Sequence, residues 1–295
     1  MSSGYELLVD EVDGRLHAAV AHKGVLSDLY VDAKDRTGCW ASLYVGRVVK
    51  IDKKLDAAIV DLGNGLSGLL PAKHVYLPGM DASAARTGIA EMLKAGQSVR
   101  VQVKSEAKKA SENENHKMPR LTMKLYVMGQ YMLYSPVLHQ VTISRRIDNK
   151  EILSFTAQLK GKGGWIVQAA ANAAAKEDIE SEAKRHLQKW RELHDSMETG
   201  GNVPRLIKEG PDALRCAIND YGARAFDHIH MGSKPLFDVM AGWCATYEPS
   251  LASSKRLRLF RPERPGQKLF DIHDACAALD TLGDSRIHLD GGGSI

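Results

Sequence analysis

The segment that most restricts the fold is residues 43–127, where five short strand patterns follow one another. The clearest is SVRVQVK at 98–104, in which Val99, Val101 and Val103 alternate with other residues. The remaining patterns lie at 43–51, 55–63, 66–72 and 120–127. Consecutive short strands separated by turn residues predict a small closed β-barrel. Barrels of the OB type bind single-stranded nucleic acid on one face, so this segment is the first candidate for a binding site.

Helix and strand patterns alternate around the barrel segment. Strand patterns at 5–9 and 15–31 precede it, and a long helix with apolar residues at helical spacing is predicted over 175–198. Further patterns predict helices at 211–221, 234–246 and 269–282, and strands at 225–230 and 256–260. Together they predict a layered α/β part beside the barrel.

Composition excludes several classes of protein. The chain has 295 residues, of which 44% are hydrophobic and 26% are charged, which argues against wholesale disorder. No apolar run is long enough to span a membrane, and the N-terminus lacks the pattern of a secretory signal. The four cysteines form no CxxC pair, which indicates reduced thiols in a cytoplasmic protein and argues against a zinc knuckle.

The net charge of +4 is unevenly distributed. Residues 98–124 contain seven basic and three acidic residues, and residues 252–268 contain six basic residues and one acid, Glu263. Localised positive charge is typical of a protein that binds a polyanion. Solvated loops explain either segment equally well, so both interpretations stay open.

Several segments, taken in order, resemble the ribonuclease E/G family. They are 45–75, 117–136, ISRRI at 143–147, GGWIVQAAA at 163–171, the long helix with Trp190, LFDIHDACAAL at 269–279 and DGGGSI at 290–295. The resemblance implies a mixed α+β fold in which an S1-type OB barrel is inserted in an RNase H-like α/β subdomain. It implies an RNase H-like subdomain at 1–38 and 201–284, the barrel at 39–124, a 5′-sensor-like region at 125–200, and the first strand of a DNase-I-like catalytic subdomain at 285–295.

The same resemblance implies binding of single-stranded RNA and endoribonuclease activity in RNA processing or decay. In the family, a pair of aspartates that hold Mg²⁺ carries out phosphodiester cleavage, and the motifs that contain them follow the Gly-Gly-Ser-Ile segment. This chain stops before those motifs. We therefore expect no catalytic residue, no metal ligand and no cofactor within it, and no cleavage by the chain alone, whereas an intact family member would use Mg²⁺.

Candidate RNA-binding residues come from matching the barrel to the family. Ile59 and Leu69 stand at positions where the family stacks bases on aromatic side chains, although a core role is as plausible for both. Lys117 matches a lysine that contacts RNA in the family. We expect Lys104, Lys117 and Arg120 to contact phosphates, the alternative being solvated charge.

The 5′-sensor positions depart from the family pattern. The family binds a terminal monophosphate with an arginine and a threonine, and this chain has Gln168 and Ala169 at those positions. A monophosphate needs charge-assisted donors, so we expect 5′-monophosphate sensing to be lost or weakened. Arg145 and Arg146 match an arginine pair that supports this pocket, and they could instead form structural salt bridges.

Three interpretations of the whole chain remain. It is the N-terminal, RNA-binding portion of a longer Mg²⁺-dependent endoribonuclease, a complete non-catalytic RNA-binding or regulatory protein of the same fold, or a structural assembly module. Family members form homo-oligomers, but the elements that organise them are not among these residues.

Overall fold

A computed structural model describes residues 4–32, 36, 38–77, 88–106, 118–159, 161, 163–201, 203–247 and 255–275. The chain divides into two compact units, one formed by residues 1–34 with 212–295 and the other by residues 35–211. None of the helices in the described ranges is long and apolar enough to cross a membrane.

The central feature of unit 35–211 is a closed barrel of five strands, which confirms the predicted barrel. Its strands are β4 (Leu43–Asp52), β5 (Ala57–Gly63), β6 (Leu66–Pro71), β7 (Ser98–Ser105) and β8 (Arg120–Thr122). β4, β5 and β6 are antiparallel, β6 pairs parallel with β8, and β7 pairs antiparallel with both β8 and β4, closing the barrel. The alternating residues of these strands fill its interior, including Val48, Val60, Leu70, Val101 and Leu121.

Three elements of this unit differ from the sequence prediction. A short strand, β13 (Arg205–Lys208), pairs antiparallel with the start of β4. A helix, α2 (Lys150–Ala157), begins where the Asn149 side chain accepts a hydrogen bond from the backbone N–H of Glu151. The strand predicted over 120–127 is divided into β8 and β9 (Val127–Met128). The connection after β6 contains a 3₁₀ turn at Ala72–His74 and a single helical turn, α1 (Ile89–Met92).

A second, four-stranded sheet lies in the same unit. It has the order β11-β12-β10-β9, with β10 at Met132–Ser135, β11 at Val141–Ile143 and β12 at Gly164–Val167. β11 and β12 are parallel, and β10 is antiparallel to both β12 and β9. The long helix α3 (Lys176–Thr199) shares a core with this sheet, in which Trp165, Ile179 and Leu193 are buried. The predicted helix over 175–198 is confirmed.

The other unit contains a five-stranded sheet of order β15-β14-β1-β2-β3. The first three strands, β1 (Tyr5–Val12), β2 (Arg15–His22) and β3 (Val25–Val31), are antiparallel, whereas β14 (Phe226–Met231) and β15 (Leu257–Leu259) run parallel to β1. The helices α4 (Ala213–Tyr221) and α5 (Lys234–Tyr247) share a core with one face of the sheet.

The opposite face of this sheet packs against residues 269–275. There Leu8 and Ala19 contribute to a smaller core with Leu269 and Phe270. A helix is predicted over 269–282, but residues Leu269–Asp274 form a 3₁₀ turn, and residues 276–282 lie outside the described ranges. Cys39 carries a free thiol. The mixed α+β architecture expected from the sequence is confirmed.

Candidate nucleic-acid interface

One row of register partners crosses the outer surface of the barrel. Lys50 of β4 pairs with Ile59 of β5, Ile59 with Leu69 of β6, and Leu69 with Arg120 of β8. Residues in direct register project from the same face of a sheet. Ile59 and Leu69 are half-buried, while their strand neighbours Ala58 and Leu70 are buried in the barrel core. The row therefore presents two adjacent aliphatic side chains between two exposed cations.

A group of basic side chains adjoins this row at the end of β6. His74 lies in the 3₁₀ turn after β6, and its Nε2 is 3.2 Å from the Lys104 Nζ of β7. Its carbonyl oxygen accepts a 2.9 Å hydrogen bond from the backbone N–H of Met123, just past β8. We call this group the His74 cluster, and it consists of Lys73, His74, Lys104, Arg120 and Lys124.

The charges that act on the His74 ring are those of four cations. Partial burial and then the charges of Lys104, Lys73, Lys124 and Arg120 lower the pKa of His74 to about 4. At neutral pH the imidazole is therefore uncharged, and its Nε2 accepts the hydrogen bond from the Lys104 ammonium. The cluster holds its positive charge on lysine and arginine side chains around a neutral ring.

The barrel thus brings together four of the residues singled out from the sequence: Ile59, Leu69, Lys104 and Arg120. Lys117 lies outside the described residues. The sequence reasoning did not single out Lys50, Lys73 or His74. Strict alternation from the buried Val48 would place Lys50 inward, and the register shift between Val48 and Lys50 turns it outward. No pattern marks His74, because its neighbours come from β7 and β8.

The remaining predicted residues meet at one edge of the four-stranded sheet. β11 and β12 are parallel, with Ile143 paired to Val167, so the residues that follow them emerge at the same edge. Arg145 and Arg146 are exposed in the turn after β11, and Gln168 and Ala169 follow β12. These four residues belong to a different sheet from the barrel row.

The Gln168 side chain makes structural hydrogen bonds at this edge. Its Nε2 donates to the carbonyl oxygens of Gly129 at 2.9 Å and Gln130 at 3.4 Å. Ala169, which begins a 3₁₀ turn, has no polar side-chain atom to offer. Sequence reasoning missed Asn172, whose Oδ1 accepts from the backbone N–H groups of Asp148 and Asn149 and so holds the segment after Arg146.

The segment that accepts the hydrogen bonds of Gln168, residues 129–130, is also bound by α3. The buried Glu182 carboxylate accepts hydrogen bonds from the backbone N–H groups of Gln130, Tyr131 and Met132 at 3.2, 2.9 and 2.8 Å. The His186 Nε2 lies 2.8 Å from the Met132 carbonyl oxygen, to which it donates. These contacts fasten the segment that leads into β10 to the long helix.

Comparisons with known proteins match this chain to one family of ribonucleases. A family model described as "Ribonuclease E/G family" matches residues 127–295. Ribonuclease G of Salmonella typhimurium is 23% identical over 300 residues, which cover 98% of this chain and 59% of that protein. Ribonuclease E of Haemophilus influenzae is 26% identical over 299 residues, which cover 98% of this chain and 30% of that protein. The chain spans about three fifths of the length of that ribonuclease G and less than a third of that ribonuclease E.

Proposed function

The chain belongs to the ribonuclease E/G family, and we propose that it binds single-stranded RNA on the outer face of its barrel. In this proposal it is the RNA-binding portion of an endoribonuclease that acts in RNA processing or decay. The barrel, residues 39–124, is an S1-type RNA-binding domain, residues 125–200 are a 5′-sensor-like region, and residues 1–38 with 201–284 are an RNase H-like subdomain. Phosphodiester cleavage is a property that we propose for the whole protein.

The observation that carries this proposal is the row Lys50, Ile59, Leu69 and Arg120 with the adjoining His74 cluster. Proteins that bind single strands combine an apolar platform for bases with cations that follow the backbone. Ile59 and Leu69 supply a small platform, and Lys50, Arg120 and Lys104 supply exposed cations beside it. Because aliphatic side chains stack less well than aromatic rings, phosphate contacts carry most of the affinity.

RNA binding on the barrel face requires no metal, whereas the cleavage proposed for the whole protein would use Mg²⁺. The described residues contain no group of three His, Cys, Asp or Glu side chains arranged to hold one.

A non-catalytic RNA-binding or regulatory protein is the second candidate function. The hydrogen bonds of Gln168 to two backbone carbonyls favour it, because they assign a structural task to a position that senses 5′ ends in the family. Both candidates require the same RNA-binding face.

Salt-dependent RNA binding tests the proposal. We would titrate a fluorescent 12-residue oligouridylate with the full chain and with the Lys104→Ala/Arg120→Ala variant across a series of salt concentrations. Loss of two phosphate contacts should make the slope of log affinity against log salt shallower by about 1.4 and should weaken binding at low salt. A matched control is Lys150→Ala/Lys184→Ala, which removes the same charge from exposed positions on α2 and α3.

The control variant should retain wild-type affinity and slope. Wild-type behaviour of Lys104→Ala/Arg120→Ala would refute the barrel-face proposal. Equal losses in both variants would show that net charge, and not this face, determines binding.

A further inference from the structure

We propose that His74 is a phosphate-binding residue that takes up a proton when RNA binds, so that RNA affinity rises as the pH falls towards 5. This inference rests on the proposed function, because it concerns the same face of the barrel. It adds a binding residue and a pH response that the row of Lys50, Ile59, Leu69 and Arg120 does not contain.

The position of His74 places its ring among cations from its own turn, from β7, from β8 and from the segment after β8. Lys73 precedes it in the 3₁₀ turn, Lys104 comes from β7, Arg120 from β8, and Lys124 from the segment after β8. All four of these charges are positive and disfavour the imidazolium form. The closest is the Lys104 ammonium, 3.2 Å from the His74 Nε2.

A bound phosphate reverses this balance. Lysine and arginine side chains that converge on one place form a phosphate site, and an RNA phosphate there brings negative charge beside the ring. A nearby negative charge favours the protonated form of histidine. The Lys104 ammonium then turns from the ring to a phosphate oxygen, and the His74 Nε2 takes one proton from solvent and donates a hydrogen bond to the phosphate.

Thermodynamic linkage fixes the sign of the effect. The pKa of His74 in the free protein is about 4, and a bound phosphate raises it. The complex therefore binds more protons than the free protein at pH values between the two pKa values, and affinity increases as pH falls through that interval. The gain cannot exceed tenfold per pH unit for one proton, and we expect about fivefold in total between pH 7.5 and pH 5.

The first experiment measures RNA affinity against pH at constant salt. The probe is an oligouridylate of 12 residues with hydroxyl groups at both ends, because a terminal phosphate would itself titrate near pH 6. The His74→Gln variant cannot be protonated, but its Oε1 can still accept the hydrogen bond of Lys104. The matched control is His139→Gln, an exposed histidine outside the His74 cluster.

We expect the RNA affinity of wild type and of His139→Gln to rise as the pH falls. The rise for His74→Gln should be smaller by about fivefold. An equal pH response in wild type and His74→Gln would overturn the inference while leaving RNA binding by the barrel intact. No RNA binding by the wild type at any pH would instead refute the proposed function.

A second measurement needs no variant. The ring resonance of His74 is followed by NMR as a function of pH, in the free chain and in the complex with the same oligouridylate. We expect a midpoint near 4 in the free protein and a midpoint higher by about 1.7 in the complex, which is the increase that a fivefold gain in affinity at pH 5 requires. An unchanged midpoint would contradict proton uptake by this residue.

Discussion

At the scale of single residues, buried polar side chains hold the loops that carry the candidate sites. Glu182 and His186 lie on one face of α3, one helical turn apart, and both are buried. A Cβ atom at Gly129 would come within 2.5 Å of both side chains, so the turn approaches the helix closely because residue 129 is a glycine. In this packing the carbonyl oxygen of Gly129 accepts a hydrogen bond from the side-chain amide of Gln168.

Glu182→Gln tests this attachment. The substitution removes the charge and places an N–H₂ group where three backbone N–H groups now find an acceptor. We expect the free energy of unfolding of unit 35–211 to fall by about 2 kcal/mol or more, measured by urea denaturation. Glu192→Gln, which breaks an exposed pair with Lys189 on the same helix, should leave the free energy of unfolding nearly unchanged. Equal costs for the two variants would show that the Glu182 hydrogen bonds contribute nothing specific.

The residues of the barrel face show what could be predicted from sequence and what could not. Matching by family placed Ile59 and Leu69 at candidate binding positions but left a core role open for both. Their outward direction follows from the register of β5 with β6, because the neighbours Ala58 and Leu70 fill the barrel. His74 could not be identified, because its environment is made by strands that are distant in sequence.

At the scale of secondary structure, the barrel strands place an apolar platform that is small by the standards of single-strand binding. We expect Leu69→Phe to enlarge it and to increase affinity for oligouridylate about tenfold, since stacking of one base on an aromatic ring contributes about 1–3 kcal/mol. The control is Val239→Phe, at an exposed position of α5 outside the barrel, which should leave affinity unchanged. Fluorescence anisotropy measures both. Equal gains in the two variants would point to nonspecific hydrophobic binding, and no gain for Leu69→Phe would argue against base contact at this position.

The parallel pair β11 and β12 gives a second prediction at this scale. The side chains after β12 supply no charge to a terminal phosphate, because Gln168 hydrogen-bonds backbone carbonyls and Ala169 carries no donor. We expect oligonucleotides of the same sequence with 5′-monophosphate and 5′-hydroxyl ends to bind within about twofold of each other. Competition titration checks this ratio. A tenfold preference for the monophosphate would show that Arg145 and Arg146 are sufficient to sense the 5′ end.

Helices and strands could be predicted from the sequence where the apolar periodicity extends over several residues. The barrel strands and α3 carry sustained apolar periodicity, and all were predicted. β13 was missed because Arg205–Lys208 has only four residues and owes its strand conformation to pairing with β4. α2 was missed because its capping residue, Asn149, is a turn signal as well as a helix start.

At the scale of the whole molecule, the basic residues have different roles in the two units. In unit 35–211, Lys104 and Arg120 lie beside an apolar platform. In the other unit, the Arg256 guanidinium donates to the carbonyl oxygens of Phe226 and Arg224, so part of the basic segment 252–268 stabilises the fold. The distribution of charge along the sequence could not distinguish basic residues beside a binding face from basic residues that stabilise the fold.

The central claim is that the outer face of the barrel is where RNA binds. The most direct measurement is photo-crosslinking of a 4-thiouridine oligonucleotide to the full chain, with the crosslinked peptides identified by mass spectrometry. The account predicts crosslinks in residues 43–77 and 118–124, and their loss when unlabelled oligouridylate competes. Crosslinks confined to residues 4–32 and 212–275 would contradict it.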